Sequence, residues 1–400
     1  MNIGIVSTWF ERGAAYVSRQ YLRAIQSDPN NKVFIYARSG ESYGKNQSDW
    51  DKEFVYWGKK SKKYYTGEIG LMVKNDFVSW LKKNQIESVL FNEQTWWPPV
   101  LWCKESGIKV GTYVDYYKED TVPFFEIYDF IFCNTLRHYS LFKNIPQCHY
   151  VPWGTDIDLF NVADRPQKDY ITFFNSAGMN PVRKGTDTVL KAFSSLPSNS
   201  KAKLIIHTQV DLRSNLKDVE ESIYDNPAIE IITKTVPAPG LYHLGDVYVY
   251  PSILDGLGLT VAEALSCGLP CIVSDNEPMN EFIKDEKNGK LISIEYLYAR
   301  KDGYFWPQCK VSIDSLRSQM QYYIENVDNL ALLQKQARDC AVSELNWTDR
   351  YQDICSIMKN AVIKLYDENL SKKIMEYELK LNGKFNKIPY LFYYWKKNKG

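Results

Sequence analysis

The sequence predicts two doubly wound α/β domains in tandem, and three observations carry that prediction. The chain has 400 residues, the length of two ordinary domains. Short apolar runs alternate with longer stretches of helical period, as βα units around a parallel sheet require. The alternation restarts after VPWGTDIDLF, residues 151–160, where Pro152 and Gly154 punctuate the chain.

The first series begins with IGIVST as a strand, AAYVSRQYLRAI as a helix and KVFIYA as a strand. VKNDFVSWLKKN follows as a helix, then SVLFNE, KVGTYVD and YDFIFCNT as strands. Runs such as FIFCN lack polar alternation, which suits strands covered on both faces. The second series has YITFFNSAG as a strand and KGTDTVLKAFSSL as a helix. AKLIIHTQ, IEIITKTV, GDVYVYPS and PCIVSD are its further strands. From about Asp349 the chain is expected to be helical, and Leu370, Ile374, Tyr377 and Leu381 recur at helical spacing. The expected division is 1–152, 153–350 and a helical tail region 351–400. Ligands of such sheets bind beyond the carboxyl ends of the strands, so two domains facing each other would form a cleft.

Composition narrows the function. A net charge of +1 gives no overall attraction for nucleic acid. The eight cysteines form no CxxC pair, which predicts reduced thiols and no structural zinc. MNIGIVSTWFERG has no basic stretch ahead of a long apolar segment, and no run approaches the about 20 apolar residues that span a bilayer. The expected location is cytoplasmic. The segment KLNGKFNKIPYLFYYWKKNKG interleaves lysines with aromatics and has no acid. It suits either packing against the first domain or peripheral contact with an anionic membrane.

Chemistry concentrates in the second domain. In LDGLGLTVAEALSCGLP, Asp255-Gly256-Leu257-Gly258 leads from a strand end into a helix. Glycines let backbone amides approach a ligand, and a helix start favours phosphate. The structural alternative is a capping box, with Thr260 as N-cap and Glu263 reaching back, and Gly268 ending the helix. In the other strand-to-helix loop, Arg183 and Lys184 precede Gly185. Two cations beside a helix start can neutralise a diphosphate. Together the two loops point to a nucleoside-diphosphate site.

These segments also resemble a known family. Arg12-Gly13-Ala14, VPWGTDIDLF, SAGMNPVRKGTDTVLKAF, GDVYVYPSILDGLGLTVAEALSCGLPCIVSD and NEFIKDEKNGKLI occur in the order seen in retaining glycosyltransferases of family 4. The resemblance implies the GT-B fold, with C-terminal helices crossing back to the first domain, and a UDP- or GDP-type sugar donor. Lys184 then stands for the diphosphate lysine, and Glu263 for the acid that clamps the ribose hydroxyls. Asp255 stands for an acid near the donor sugar, where relatives usually carry Glu. Gly256, Leu257, Gly258 and Leu259 stand for the turn whose amides approach the donor. Gly13 and Ala14 stand for a first-domain loop that closes on the donor phosphate.

Two departures matter. The family's paired arginine is replaced by Met179, so Arg183 is the candidate for the missing cation. A usual His-Asp pair is reduced to Val114 and Asp115, leaving Asp115 to bond the donor sugar or assist the acceptor. Glu93 is a second base candidate, and Trp96 and Trp97 are an acceptor platform or loop packing. His207 is a candidate lining residue. The resemblance implies no metal and no bound cofactor, and the DWD and DID pairs are set aside. The acceptor would be a saccharide, lipid-linked or other hydroxyl, in surface polysaccharide or glycoconjugate assembly. A 2-epimerase, a phosphorylase and a non-catalytic sugar-nucleotide-binding protein are the competing readings. Tyr296 to Cys309, YLYARKDGYFWPQC, looks inserted.

Overall fold

The structure is a computed structural model, and it describes residues 1–38, 44–59, 72–165 and 168–382. The chain divides into two compact units. One comprises Met1–Asn134, His138–Val151 and Arg350–Gly400; the other comprises Thr135–Arg137 and Pro152–Asp349.

The first unit is built on a parallel sheet. Its strands are β1 (Asn2–Ser7), β2 (Lys32–Ala37), β3 (Val55–Trp57), β4 (Ser88–Phe91), β5 (Lys109–Tyr113), β6 (Phe130–Cys133) and β7 (Cys148–Tyr150). Their order is β3-β2-β1-β4-β5-β6-β7. The central strands read as unbroken apolar runs because both faces are covered: Ile3, Ile5, Val89, Phe91, Ile131 and Phe132 are all buried. Helices α1 (Gly13–Gln26), α2 (Lys74–Lys83), α3 (Pro98–Glu105) and α4 (Leu136–Phe142) connect them. β3 and β7 escape the sequence pattern because each is a three-residue edge strand with half-buried side chains.

The helices α11 (Tyr351–Asn360) and α12 (Glu368–Asn382) also belong to the first unit. Lys109 Nζ donates to the carbonyls of Met358 at 2.8 Å and Lys359 at 3.1 Å, a cation at the end of α11. On α12, Ile374 is buried, Tyr377 meets Phe124 edge-on at 5.3 Å, and Glu378 accepts from the Trp97 N–H at 2.9 Å. The notable basic-aromatic segment after Asn382 lies outside the described residues.

The second unit has a parallel sheet of β8 (Ile171–Gly178), β9 (Ala202–Thr208), β10 (Ile229–Thr233), β11 (Val247–Tyr250), β12 (Cys271–Ser274) and β13 (Gly289–Ile292). Their order is β10-β9-β8-β11-β12-β13. Helices α5 (Thr186–Ser194), α6 (Leu212–Asn215), α7 (Glu221–Tyr224), α8 (Leu259–Ser266), α9 (Ile313–Glu325) and α10 (Leu330–Glu344) accompany it. Phe173, Val189, Leu190, Ile206, Val249 and Met320 share one core. Residues 296–309, which look inserted in the sequence, lie in the antiparallel hairpin of β14 (Ile294–Tyr298) and β15 (Gln308–Val311) and the loop between them. All eight cysteines are free thiols. Among the described residues no helix is long and apolar enough to cross a membrane.

Candidate functional site

In the second unit the chain runs from β8 outward through β9 to β10, then returns to place β11 on the other side of β8. The strand order therefore reverses between β8 and β11, where a parallel sheet opens a crevice at its carboxyl edge. The two loops singled out in the sequence both leave from this point. Residues 179–185 follow β8 and lead into α5; residues 251–258 follow β11 and lead into α8.

Glycine is required at both helix starts. Gly185 has φ +67°, and a Cβ there would lie 2.1 Å from the Pro251 carbonyl oxygen. The two loops thus touch through bare backbone. Gly258 has φ +72°, and a Cβ there would lie 2.8 Å from the Phe282 ring.

Asp255 ties the loops together. Its Oδ1 accepts from the N–H of Gly256 at 2.7 Å, and from those of Leu257 and Gly258 at 3.4 Å. Its Oδ2 faces Lys184 Nζ at 2.9 Å and Arg183 Nη1 at 3.6 Å, and accepts from the Tyr250 hydroxyl. Lys184 Nζ also donates to the Tyr250 hydroxyl and sits 4.5 Å over the Tyr250 ring centroid. Burial favours the neutral carboxyl, but Lys184 and Arg183, with hydrogen bonds from Tyr250 and Lys184, hold Asp255 well below the usual carboxylate range. Burial brings Lys184 down to about 8, partly resisted by Asp255. Arg183 is a third exposed and donates to the Leu254 carbonyl at 3.2 Å.

The helix starts differ in what they offer. Before α5, the N–H groups of Arg183, Lys184, Gly185 and Thr186 all find acceptors within residues 180–182. At α8, the N–H groups of Leu259 and Thr260 have no acceptor among the described residues. At α5 the amides without an acceptor among the described residues are those of Asp187 and Thr188, one residue further into the helix.

Glu263 lies one turn into α8. Its Oε2 accepts from the Tyr242 hydroxyl at 2.6 Å, and its Oε1 takes no hydrogen bond from the described residues. Burial raises this carboxyl to about 6, against the pull of Tyr242 and Lys184. The expected capping box is corrected here. Left-handed Gly258 turns the chain into the helix at Leu259, so Thr260 stands inside the first turn and Gly258 is the N-cap. Asp255 satisfies the preceding amides, while Tyr242 holds Glu263 sideways. Gly268, with φ +72°, does follow the helix end as expected.

Met179 is exposed and extends no cation. His207, at the end of β9, has its Nε2 2.9 Å from the Lys234 carbonyl and is buried. Tyr242 and Tyr250 carry no sequence signal, because a tyrosine in or beside an apolar run reads as core. Only the folded structure shows that their hydroxyls reach the two acids, Tyr250 from the end of β11 and Tyr242 from the short 3-10 turn Tyr242–Leu244.

The first unit has its own switch point, between β1 and β4. Gly13 and Ala14 begin α1 there, with Arg12 as N-cap. Glu93 lies two residues beyond β4, with φ +49°, buried, 3.5 Å from Arg12 and 3.8 Å from the buried Arg38. Arg38, which the sequence does not mark, also donates to the carbonyls of Asn92 at 2.6 Å and Glu93 at 2.8 Å. Asp115 lies just past β5 and is buried; with Glu93 it adds to the burial that raises the Tyr113 hydroxyl.

Trp96 and Trp97 are corrected to core residues. They are 4% and 3% exposed, and Trp97 packs edge-on against Phe124 and Phe125 at 5.6 and 5.5 Å. No ring face remains on which a sugar could stack. Among the described residues no group of three or more His, Cys, Asp or Glu is disposed to hold a metal ion.

Residues 158–296, the stretch that contains this site, match the family Glycosyl transferases group 1. An uncharacterized glycosyltransferase of Methanocaldococcus jannaschii is 26% identical over 149 residues, covering 34% of this chain and 37% of that protein. A UDP-Gal:alpha-D-GlcNAc-diphosphoundecaprenol alpha-1,3-galactosyltransferase of Escherichia coli is 43% identical over 56 residues, 14% of each chain. The alignments thus span well under half of these relatives. The structure of sucrose-phosphate synthase from Thermosynechococcus elongatus superposes with a TM-score of 0.70 at 14% identity, covering 90% of this chain and 98% of that one. The fold is that of a GT-B glycosyltransferase.

Proposed function

We propose, from a second unit that carries a glycosyl transferases group 1 module over residues 158–296, that this protein is a retaining, nucleotide-sugar-dependent glycosyltransferase. One observation carries the proposal. Arg183, Lys184, the free amides of α8 and the open oxygen of Glu263 converge on the β8/β11 switch point.

Each group has a role its chemistry suits. Lys184, Arg183 and the N–H groups of Leu259 and Thr260 receive the diphosphate. Glu263, as a carboxylate with a free Oε1, accepts from a ribose hydroxyl. In the transfer step the bond from sugar C1 to the diphosphate oxygen breaks, and the negative charge that develops there is stabilised by these cations and amides. The acceptor oxygen bonds C1 on the face that the diphosphate leaves, and its proton passes to the leaving phosphate oxygen. No covalent nucleophile is invoked. In the first unit Glu93, Asp115 and the Gly13–Ala14 helix start are the candidates for handling the acceptor and the donor phosphate.

The donor is a UDP- or GDP-type sugar. The acceptor is a saccharide or lipid-linked hydroxyl of a surface polysaccharide or glycoconjugate, as the name of the Escherichia coli relative suggests. The setting is the cytoplasm or the inner membrane surface, with residues 383–400 as the membrane contact. The reading needs no metal and no bound cofactor.

A panel of nucleotide sugars, scored by release of free nucleotide without acceptor, tests the proposal and names the donor. Lys184→Ala and Glu263→Ala should each lower turnover by about 10²- to 10³-fold, with circular dichroism unchanged. EDTA should leave the rate unaltered. Full activity in either variant, or strict metal dependence, would contradict the assignment.

A further inference from the structure

The resemblance assigns Asp255 to the donor sugar, but its surroundings leave it no capacity for one. An ionised carboxylate has about four lone-pair positions. Three backbone N–H groups converge on Oδ1, at 2.7, 3.4 and 3.4 Å. Lys184, Arg183 and the Tyr250 hydroxyl converge on Oδ2. The side chain is 13% exposed. Because Asp is one methylene shorter than the usual Glu, the carboxylate stays down in the turn that its own Oδ1 closes.

Tyr250 completes the arrangement. It is the last residue of β11 and fully buried. Its hydroxyl meets both Lys184 Nζ and Asp255 Oδ2, and its ring lies under the ammonium at 4.5 Å. Lys184 is thereby fixed on three sides at the carboxyl edge of the sheet: by a carboxylate, a hydroxyl and a π face. A flexible lysine held this way presents its charge in one place, which lowers the ordering cost when a diphosphate arrives.

Resting on the donor-site reading above, we infer that Asp255 and Tyr250 are positioning residues for Lys184, and that Asp255 makes no contact with the transferred sugar. Asp255 acts on the diphosphate, through the lysine, whichever sugar the donor carries.

Isothermal titration of the full chain tests this. UDP and GDP are titrated first, then the sugar-bearing form of whichever nucleotide binds. Lys184→Ala should weaken both forms by about tenfold or more. Asp255→Asn should change the affinity for both forms by the same factor, within about twofold, because the contact altered is common to them. It should also move the alkaline loss of binding to lower pH, because Lys184 loses its counter-ion. In the Lys184→Ala background, Asp255→Asn and Tyr250→Phe should each have less than about a twofold effect. Asp255→Glu, which keeps the charge, should keep the alkaline loss in place and serves if the Asn variant folds poorly.

The inference is overturned if Asp255→Asn weakens only the sugar-bearing form, or costs as much without Lys184 as with it. If the wild-type chain binds neither UDP nor GDP, the donor-site reading itself falls.

Discussion

Glu263 and Lys184 are brought toward neutral pH from opposite sides. Burial lifts the carboxyl to about 6 and lowers the ammonium to about 8. Glu263 accepts from a hydroxyl as a carboxylate, so donor capture should fail as pH falls through about 6. Lys184 binds phosphate as a cation, so capture should fail again as pH rises through about 8. The free-enzyme quantity kcat/KM for the donor is therefore expected to be bell-shaped, with limbs at those two values. Glu263→Gln should remove the acid limb. Lys184→Arg should remove the alkaline one, because a guanidinium stays charged. A wild-type profile that is flat between about 5 and 9 would rule out both assignments. Lys184 was legible in the sequence as a cation in a glycine-marked strand-to-helix loop, and Glu263 through the family resemblance, its spacing alone fitting a capping box as well. Tyr242 and Tyr250 were not, since where their hydroxyls point depends on the register of β11 for Tyr250 and on the 3-10 turn before that strand for Tyr242.

At the scale of elements, the site depends on two helix starts that begin from left-handed glycines. Gly185 is the stricter of the two. Its missing Cβ would press on a backbone oxygen at 2.1 Å, and a strand-end carbonyl has nowhere to go. At Gly258 the obstacle is the rim of the Phe282 ring at 2.8 Å, which can tilt. Left-handed backbone costs a non-glycine residue roughly 1–2 kcal/mol in either place. Gly258→Ala is thus expected to lose about that much stability, and Gly185→Ala more, with donor affinity falling in parallel. Thermal melts and nucleotide titrations of the two variants check the ranking, and equal Tm losses would show that the loops adapt alike. The alternation of runs predicted the sheets because buried parallel strands are apolar throughout. It missed the edge strands β3, β7 and β13, which are only three or four residues long, and it misread the start of α8. A Thr-x-x-Glu spacing fits a capping box equally well when, as here, the helix begins at Leu259 and Glu263 is turned toward Tyr242.

At the scale of the molecule, one surface of the first unit presents apolar side chains to solvent. Between α11 and α12, the Lys364 backbone N–H donates to Asp129 at 2.7 Å and its exposed Nζ to the Glu126 carbonyl at 2.6 Å. Its apolar neighbours are exposed as well, Val362 at 79% and Leu365 at 94%, and Leu379 on α12 is 66% exposed. A segment fixed by its backbone and lysine while presenting valine and leucine to solvent has the character of an interaction surface. The sequence that follows, residues 383–400, holds five lysines, six aromatic residues and no acid. For the membrane contact proposed above, exposed apolar side chains would suit the acyl boundary and a basic-aromatic sequence the charge of an anionic bilayer. The full chain is therefore expected to float with vesicles rich in anionic lipid, to release as salt rises past the range where screening is strong, and to ignore neutral vesicles. A chain ending at Leu381, and the double variant Leu365→Glu with Leu379→Glu, should each float less while keeping nucleotide affinity, since both changes lie in the unit that does not carry the donor site. Equal flotation of the full and shortened chains would remove the tail from the membrane contact. Loss of nucleotide binding in the double variant would mean that this face supports the fold and not a lipid surface.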